Sequence, residues 1–362
     1  MQPLKIIRTD SKLQTPLLDE TLKQLGHHLL LLLDGSSEDE LCREIADADL
    51  LLTCYTPVNA RVLSAAKHLR GVIKYGVGID AIDVPAANTR GMVVVNIPEY
   101  AEETVAEGAF AMLIALARRL PEIGRQMLSD GWAWPEEHWL GSDIAGKTLG
   151  IIGCGRIGSS MARIAGQGFR MRVIGYDPYK TDAELKAAGI KKMTHLPDLL
   201  QECHFLSMHA VLTAETKHMI GAKELALLPE NAFLINSARG ALIDETALMH
   251  ALKKKQIAGA GLDVFSIEPL NRKDHPLRSL YTMANVILLP HLTFYTIEAM
   301  QRLQEEVLAR VAEFTGEQPV TIKSTDPRLL NQSKTLRDKV KLYEPPLKLK
   351  DADARRRAQD PY

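Results

Sequence analysis

An apolar run, Thr148-Leu-Gly-Ile-Ile, passes through Gly153-Cys154-Gly155-Arg156-Ile157-Gly158 into a stretch of helical character, and a second apolar run ends in Asp177, 19 residues after Gly158. Few folds satisfy that order. Gly153 permits a tight turn after a strand, Gly155 lets backbone approach a diphosphate, and Gly158 lets the following helix pack closely on the strand. The N–H groups and positive dipole end of that helix then hold the anion. Asp177 stands where an acid accepts hydrogen bonds from a ribose and repels a 2′-phosphate. The pattern therefore predicts a parallel α/β sheet that binds NAD(H) in preference to NADP(H).

The rest of the chain agrees with this class. After the first run come five more, at 171–176, 205–208, 232–236, 259–263 and 286–289, and five earlier ones lie at 4–7, 29–33, 50–53, 72–73 and 93–95. Short, continuously apolar strands bounded by helices suit parallel sheets covered on both faces. Ser37 with Glu40 has the form of a capping box opening a helix to about Ala46. Residues 101–119 read as a long buried helix with acids first, basics last and Pro121 beyond its end. The segment 131–146 holds all three Trp and reads as an irregular excursion, and 296–314 as a second long helix. Residues 328–362 carry ten Lys/Arg against five acids, a +5 segment that reads as a solvated tail beside a body of about −6.

At 362 residues the chain is long enough for two domains, by a prior of about 150 residues each. Its formal charge of −1 offers no overall field for nucleic acid or an anionic membrane surface, and 5% aromatics argues against base stacking. Cys42, Cys54, Cys154 and Cys203 form no C-x-x-C pair or metal-ligand spacing, so they read as reduced thiols and no metal is expected. The start, MQPLKIIRTD, lacks the form of a signal peptide, and the run Leu29 to Leu33 stops at Asp34, short of a membrane span. A cytoplasmic chain without nucleic-acid or membrane partners is the expectation.

Three segments place ionisable groups just after predicted strands: Asn236-Ser-Ala-Arg239, Asp263-Val-Phe-Ser-Ile-Glu268 and Pro290-His291. Ligands of open parallel sheets lie beyond the carboxyl ends of the strands, so Arg239, Glu268 and His291 can converge there. Beside a nicotinamide that gives hydride to the carbonyl carbon, such a trio can support reduction of a 2-oxo acid. His291 exchanges protons near neutrality, Glu268 orients its ring, and the planar fork of Arg239 binds a carboxylate while polarising the carbonyl. Singly, each has an ordinary structural explanation; shared placement raises the case. Of the other histidines only His209, at a strand end, is placed to line the site.

The ordered motifs Tyr75-Gly-Val-Gly-Ile-Asp, Thr104-Val-Ala-Glu, Gly146-Lys-Thr-Leu-Gly-Ile-Ile-Gly, Asn236-Ser-Ala-Arg-Gly, Gly261-Leu-Asp-Val-Phe with Glu268-Pro, and Pro290-His make the chain similar, over about residues 45–315, to the D-isomer-specific 2-hydroxyacid dehydrogenases. The resemblance implies two Rossmann-like, doubly wound parallel-sheet domains: a substrate domain from 1–100 plus 297–330, and an NAD-binding domain over 101–296 inserted into it, with 331–362 left as a charged tail. It implies Arg239, Glu268 and His291 as catalytic residues. It gives Thr104, Arg156, Ile157, Asp177, Ala210, Val211, Thr216, Ser237, Ala238 and Asp263 to the cofactor beside the three loop glycines. Val77 and Gly78 would offer N–H groups to the substrate carboxylate, and Tyr100, Phe294 and Tyr295 would face the substrate as an aromatic lining, as in the D-lactate branch. Interconversion of a 2-oxo acid and a D-2-hydroxy acid by a homodimer is the implied activity. The same pattern also admits a dehydrogenase of another small anion, phosphite- or formate-like, or an NADH-sensing corepressor.

Overall fold

Most of the apolar runs become strands buried in parallel sheets, while that of His28–Leu31 is only partly covered. In the computed structural model, which describes residues 2–316 and 318–344, the chain gathers into two compact units, Met1–Tyr100 with the chain from Ile297, and Ala101–Thr296.

In the first unit β1 (Lys5–Arg8), β2 (His28–Leu31), β3 (Leu50–Thr53), β4 (Gly71–Lys74) and β5 (Val93–Asn96) form a parallel sheet in the order β2-β1-β3-β4-β5. Every residue of β3, β4 and β5 is buried, which explains why these runs carry no polar alternation. Ser37 Oγ accepts from Glu40 N at 3.1 Å and caps the helix Glu38–Glu44. Gly71 opens β4 where a Cβ would lie 2.6 Å from the Val93 carbonyl and 2.4 Å from the ring of Phe314, on the helix Ile297–Thr315.

The expectation of a solvated tail from residue 331 is corrected here. Short helices Pro327–Leu330 and Gln332–Thr335 lead to a strand, Val340–Leu342, that pairs in parallel with Val320–Ile322. Leu329, Leu336 and Val340 are buried. Gln332, wholly buried, uses its side-chain amide as a peptide would: Oε1 accepts from Val94 N at 2.8 Å and Nε2 donates to Val94 O at 2.7 Å. It thereby satisfies backbone groups on the edge strand β5. Charge content hid this, because a few apolar anchors and one amide fix the segment. The basic residues Lys348, Lys350 and Arg355 to Arg357 lie outside the described residues.

The second unit holds β6 (Thr148–Ile152), β7 (Arg172–Tyr176), β8 (Lys191–Lys192), β9 (Phe205–Met208), β10 (Phe233–Asn236), β11 (Gly259–Leu262) and β12 (Val286–Leu288), all parallel, in the order β12-β11-β10-β9-β6-β7-β8. Counted from β6 this is the 3-2-1-4-5-6 dinucleotide order with one further strand. Strand order reverses between β6 and β9, the switch point at which a ligand is held. The two-residue strand β8 escapes sequence reading because Lys-Lys has no apolar signature. The helix Glu102–Ala117 packs on this sheet, with Met112 Cβ only 3.0 Å from where a Cβ on Gly261 would be. Pro121 does not end the helical region; Arg119 turns left-handed (φ 52°) and a second helix, Leu120–Asp130, starts with proline in its first turn. The tryptophan-bearing segment is irregular apart from a turn of 3₁₀ helix at Glu137–Trp139. No described helix is long and apolar enough to cross a membrane.

Gln332→Leu keeps the volume and removes the amide, leaving Val94 N–H and C=O without that partner. We expect a loss of about 1–3 kcal/mol per stranded buried group, read as a lower urea midpoint at unchanged slope. An unchanged midpoint would show that residues 331–343 do not anchor the first unit.

Candidate active site

The glycine loop leaves β6 at the switch point, and each glycine meets a different constraint. Gly153 has φ +86°, and a Cβ there would lie 2.4 Å from Ala210 N, so the turn abuts the end of β9. Gly158 sits in the helix Arg156–Arg163 where a Cβ would be 2.2 Å from the Gly153 carbonyl. At Gly155 a Cβ would meet nothing within 4 Å, so that position faces open space at a helix N-terminus. A diphosphate fits there, and only there in the loop. Asp177 ends β7 and reaches back to the loop: Oδ2 accepts from Cys154 N at 3.0 Å and Oδ1 from Tyr179 N at 3.0 Å. Burial, with Asp177 nearby, pushes the Cys154 thiol up to about 12, so it stays protonated.

The other residues assigned to the cofactor surround the same strand ends. Ile157 packs against one core cluster of the second unit, and Ala210 and Ala238 pack against another. Thr216 Oγ1 donates to Val211 O at 2.7 Å, closing the segment after β9 and leaving the Val211 side chain exposed. Ser237 Oγ is buried without a hydrogen-bond partner, as a hydroxyl kept for a ligand would be. Thr104 is buried in the first turns of the helix Glu102–Ala117. Arg156 forms an ion pair with Glu102 at 3.1 Å.

Arg239, Glu268 and His291 come together at the ends of β10, β11 and β12. His291 Nδ1 lies 2.9 Å from Glu268 Oε2, and Phe265 N donates to Glu268 Oε1 at 2.9 Å. Partial burial works to raise the Glu268 carboxyl, but the His291 bond and charge, the Phe265 N–H and the Arg239 charge prevail and hold it below the usual range. The pair's contribution to holding this loop is therefore present at neutrality and is lost as pH falls through that lowered value. The side chains of His291 and Glu268 remain 28% and 31% exposed, open to a ligand. Arg239 is fixed by a bond from Nη1 to the Ala238 carbonyl at 2.6 Å, while Asn236 Nδ2 holds the Arg239 carbonyl at 2.9 Å. Gly240, which sequence reasoning passed over, makes this approach possible: a Cβ there would be 2.1 Å from Phe265 C. Only a three-dimensional contact reveals that need.

Asp263 is fully buried, and its oxygens accept from Leu292 N (2.8 Å), Thr293 N (3.1 Å) and Thr293 Oγ1 (2.6 Å). It pins the residues after His291, whose own φ of +59° is unusual for a side chain of that size. Phe294, buried, stands edge-on to His291 with centroids 6.5 Å apart, and Tyr295 beside it is exposed. His209 differs from His291: it bonds Ser207 Oγ at 2.8 Å and burial pushes it down to about 4, so it is neutral at physiological pH. His27, His204 and His275 each accept a backbone N–H in the interior of the fold.

In the first unit, Val77 and Gly78 lie in the loop after β4, tied down by Ile97 N to Gly76 O (3.1 Å) and Asn96 Nδ2 to Val77 O (2.6 Å). Tyr100 is buried and its carbonyl accepts from Arg302 Nε at 2.9 Å.

Residues 110–293 match the family profile described as D-isomer specific 2-hydroxyacid dehydrogenase, NAD binding domain. A glyoxylate reductase of Korarchaeum cryptofilum is 42% identical over 300 residues, 82% of this chain and 86% of the relative. The chain belongs to the D-isomer-specific 2-hydroxyacid dehydrogenase family. A D-3-phosphoglycerate dehydrogenase of Methanocaldococcus jannaschii is 40% identical over 268 residues, 74% of this chain but only 50% of that protein. The crystal structure of D-lactate dehydrogenase from Aquifex aeolicus complexed with NAD and lactic acid superposes with a TM-score of 0.75 at 29% identity, covering 91% of this chain and 98% of that one. As a member, the chain is an NAD-dependent oxidoreductase of 2-hydroxy acids.

Gly155→Ala and Gly158→Ala separate two roles. We expect Gly155→Ala to weaken NADH binding at least about tenfold with an unchanged melting temperature, since its Cβ obstructs only the ligand. Gly158→Ala should lower both, because its Cβ collides with backbone. NADH fluorescence titration and thermal unfolding read the two; equal behaviour would contradict the assignment.

Proposed function

We propose that the chain interconverts a small 2-oxo acid and its D-2-hydroxy acid, with His291 as the proton donor and acceptor. The observation that carries this is the His291–Glu268 pair at 2.9 Å with Arg239 acting on the same carboxylate. Bound NADH supplies the hydride; the rest falls to side chains. Arg239 presents two parallel N–H donors to the substrate carboxylate and draws charge toward the carbonyl oxygen. His291 gives that oxygen its proton as negative charge develops. Glu268 takes Nδ1, so Nε2 is the nitrogen that exchanges with substrate. In the oxidative direction the same imidazole accepts the hydroxyl proton. Asp263 acts as a positioning residue by fixing the segment that carries His291.

Preference for NAD over NADP rests on Asp177, whose carboxylate is held at the loop by Cys154 N. Nearby cations are engaged elsewhere: Lys180 with Glu184 at 3.1 Å and Arg156 with Glu102. A homodimer is supported by exposed apolar side chains of the second unit, Leu120, Met127, Leu128, Trp132, Trp134 and Leu140. The helix Leu120–Asp130 buries none of its residues, and a patch of this kind marks a surface that a second copy covers. Leu128→Asp should convert the dimer to a monomer in sedimentation; a monomeric wild type would overturn this reading.

The activity test follows NADH oxidation by absorbance with a panel of 2-oxo acids. His291→Ala should reduce kcat about 100- to 10,000-fold while NADH affinity is retained. Glu268→Gln removes the carboxylate that His291 Nδ1 meets at 2.9 Å and should lower kcat while NADH affinity is retained. Unchanged turnover in either variant would remove that residue from its role.

A further inference from the structure

The loops that leave β6, β7 and β9 touch one another in turn. Cys154 N donates to Asp177 Oδ2 at 3.0 Å and joins the first to the second. Gly153 abuts the third, since a Cβ on it would lie 2.4 Å from Ala210 N. One side-chain contact closes the circuit: Tyr179 Oη donates to Glu215 Oε2 at 3.4 Å. Because β6 lies between β7 and β9 in the sheet, this link passes over the carboxyl end of β6, where the glycine loop begins. Both carriers are fixed in backbone. Tyr179 N donates to Asp177 Oδ1 at 3.0 Å. Glu215 stands between Thr213 and Thr216, which exchange bonds: Thr213 N to Thr216 Oγ1 at 2.8 Å and Thr216 N to Thr213 Oγ1 at 3.2 Å.

The two side chains, in contrast, are held loosely. Glu215 is exposed and Tyr179 is 83% exposed, and 3.4 Å is long for an O–H···O bond, so the contact opens readily. A ring exposed to this degree buries almost no apolar area in its own chain, and packing does not account for its place. Its neighbours do. Tyr179 stands two residues after Asp177, the acid read as the ribose partner, and the loop after β9 leaves the aliphatic side chain of Val211 exposed. A purine attached to a ribose at Asp177 would meet an aromatic face from one loop and an aliphatic one from the other. Neither Tyr179 nor Glu215 is among the residues that the family resemblance gives to the cofactor.

We propose that Tyr179 and Glu215 form a clasp over the adenosine end of bound NAD(H). The Tyr179 ring stacks on the adenine, and Glu215 holds the ring there and lets go when the cofactor exchanges. This rests on the reading of Asp177 as the ribose partner and is independent of which 2-oxo acid is reduced.

The test measures binding to the full chain, by fluorescence titration of NADH and by calorimetric titration of ADP-ribose, which keeps the adenosine and lacks the nicotinamide. Tyr179→Ala should weaken both about 5- to 20-fold, the lower part of the range for one base on one aromatic ring. Tyr179→Phe keeps the ring, and Glu215→Ala keeps the whole tyrosine. Each should speed NADH release, followed by stopped-flow displacement, about two- to tenfold, the range for one hydrogen bond. The double variant should release NADH no faster than the faster single one, because both changes break the same contact. A urea midpoint equal to that of wild type in each variant keeps a loss of binding distinct from a loss of fold. ADP-ribose binding untouched by Tyr179→Ala would overturn the stacking, as would a Tyr179→Phe variant as weak as Tyr179→Ala. Additive acceleration in the double variant would overturn the clasp. If wild type binds NADPH as tightly as NADH, the reading of Asp177 fails, and the ADP-ribose comparison still decides the clasp on its own.

Discussion

Asp263 is the point on which the chemistry of the second unit depends. Its backbone N–H donates to Asn236 O at 3.0 Å and its carbonyl accepts from His291 N at 2.7 Å, so the ends of β10, β11 and β12 are stitched through one residue. Its carboxylate then takes three donors from Leu292 and Thr293. A buried carboxylate with that many donors is rigid in place. His291 consequently holds a left-handed backbone conformation that an unsupported loop would relax. The imidazole meets Glu268 at 2.9 Å, and the charge of Arg239 acts on the same carboxylate across loops that touch at Gly240.

Much of this was legible in the sequence for a physical reason. Parallel strands buried on both faces leave continuous apolar runs, and the residue after such a run is aimed at the ligand edge of the sheet. That logic put the glycine loop, Asp177 and the trio at strand ends, which is where they lie. What escaped depends on contacts between segments remote in sequence. Gly240 looks like any glycine until Phe265 is beside it. Gln332 looks like a surface residue in a charged stretch until its amide meets Val94. Pro121 signals a helix boundary in either direction, and the boundary proved to be a start.

His209 and His291 illustrate how surroundings divide one residue type into two functions. Both follow strands of the same sheet. His209 is enclosed beside Ser207, so its charged form is disfavoured and it can serve only as a neutral hydrogen-bonding group. His291 keeps partial access to solvent and faces a carboxylate held below its usual range, so its charged form has a partner. The proposed function accordingly gives proton transfer to the second.

The same comparison applies to charge around the glycine loop. An acid at the end of β7 discriminates against a 2′-phosphate only if it cannot turn away and no cation neutralises it. The bond from Cys154 N anchors Asp177 to the loop itself, and a second bond from Tyr179 N holds its other oxygen. Lys180 is directed to Glu184 by a helix-cap arrangement in which Glu184 also accepts from Thr181, a set of contacts that lowers the Glu184 carboxyl to about 2. Arg156 is turned toward Glu102, and Arg163 toward Glu103, at the start of the helix Glu102–Ala117. Lys180, Arg156 and Arg163 thus each already have an acid of their own. On the proposed preference for NAD, a 2′-phosphate that paired with one of these three cations would have to break its existing ion pair as well as approach Asp177.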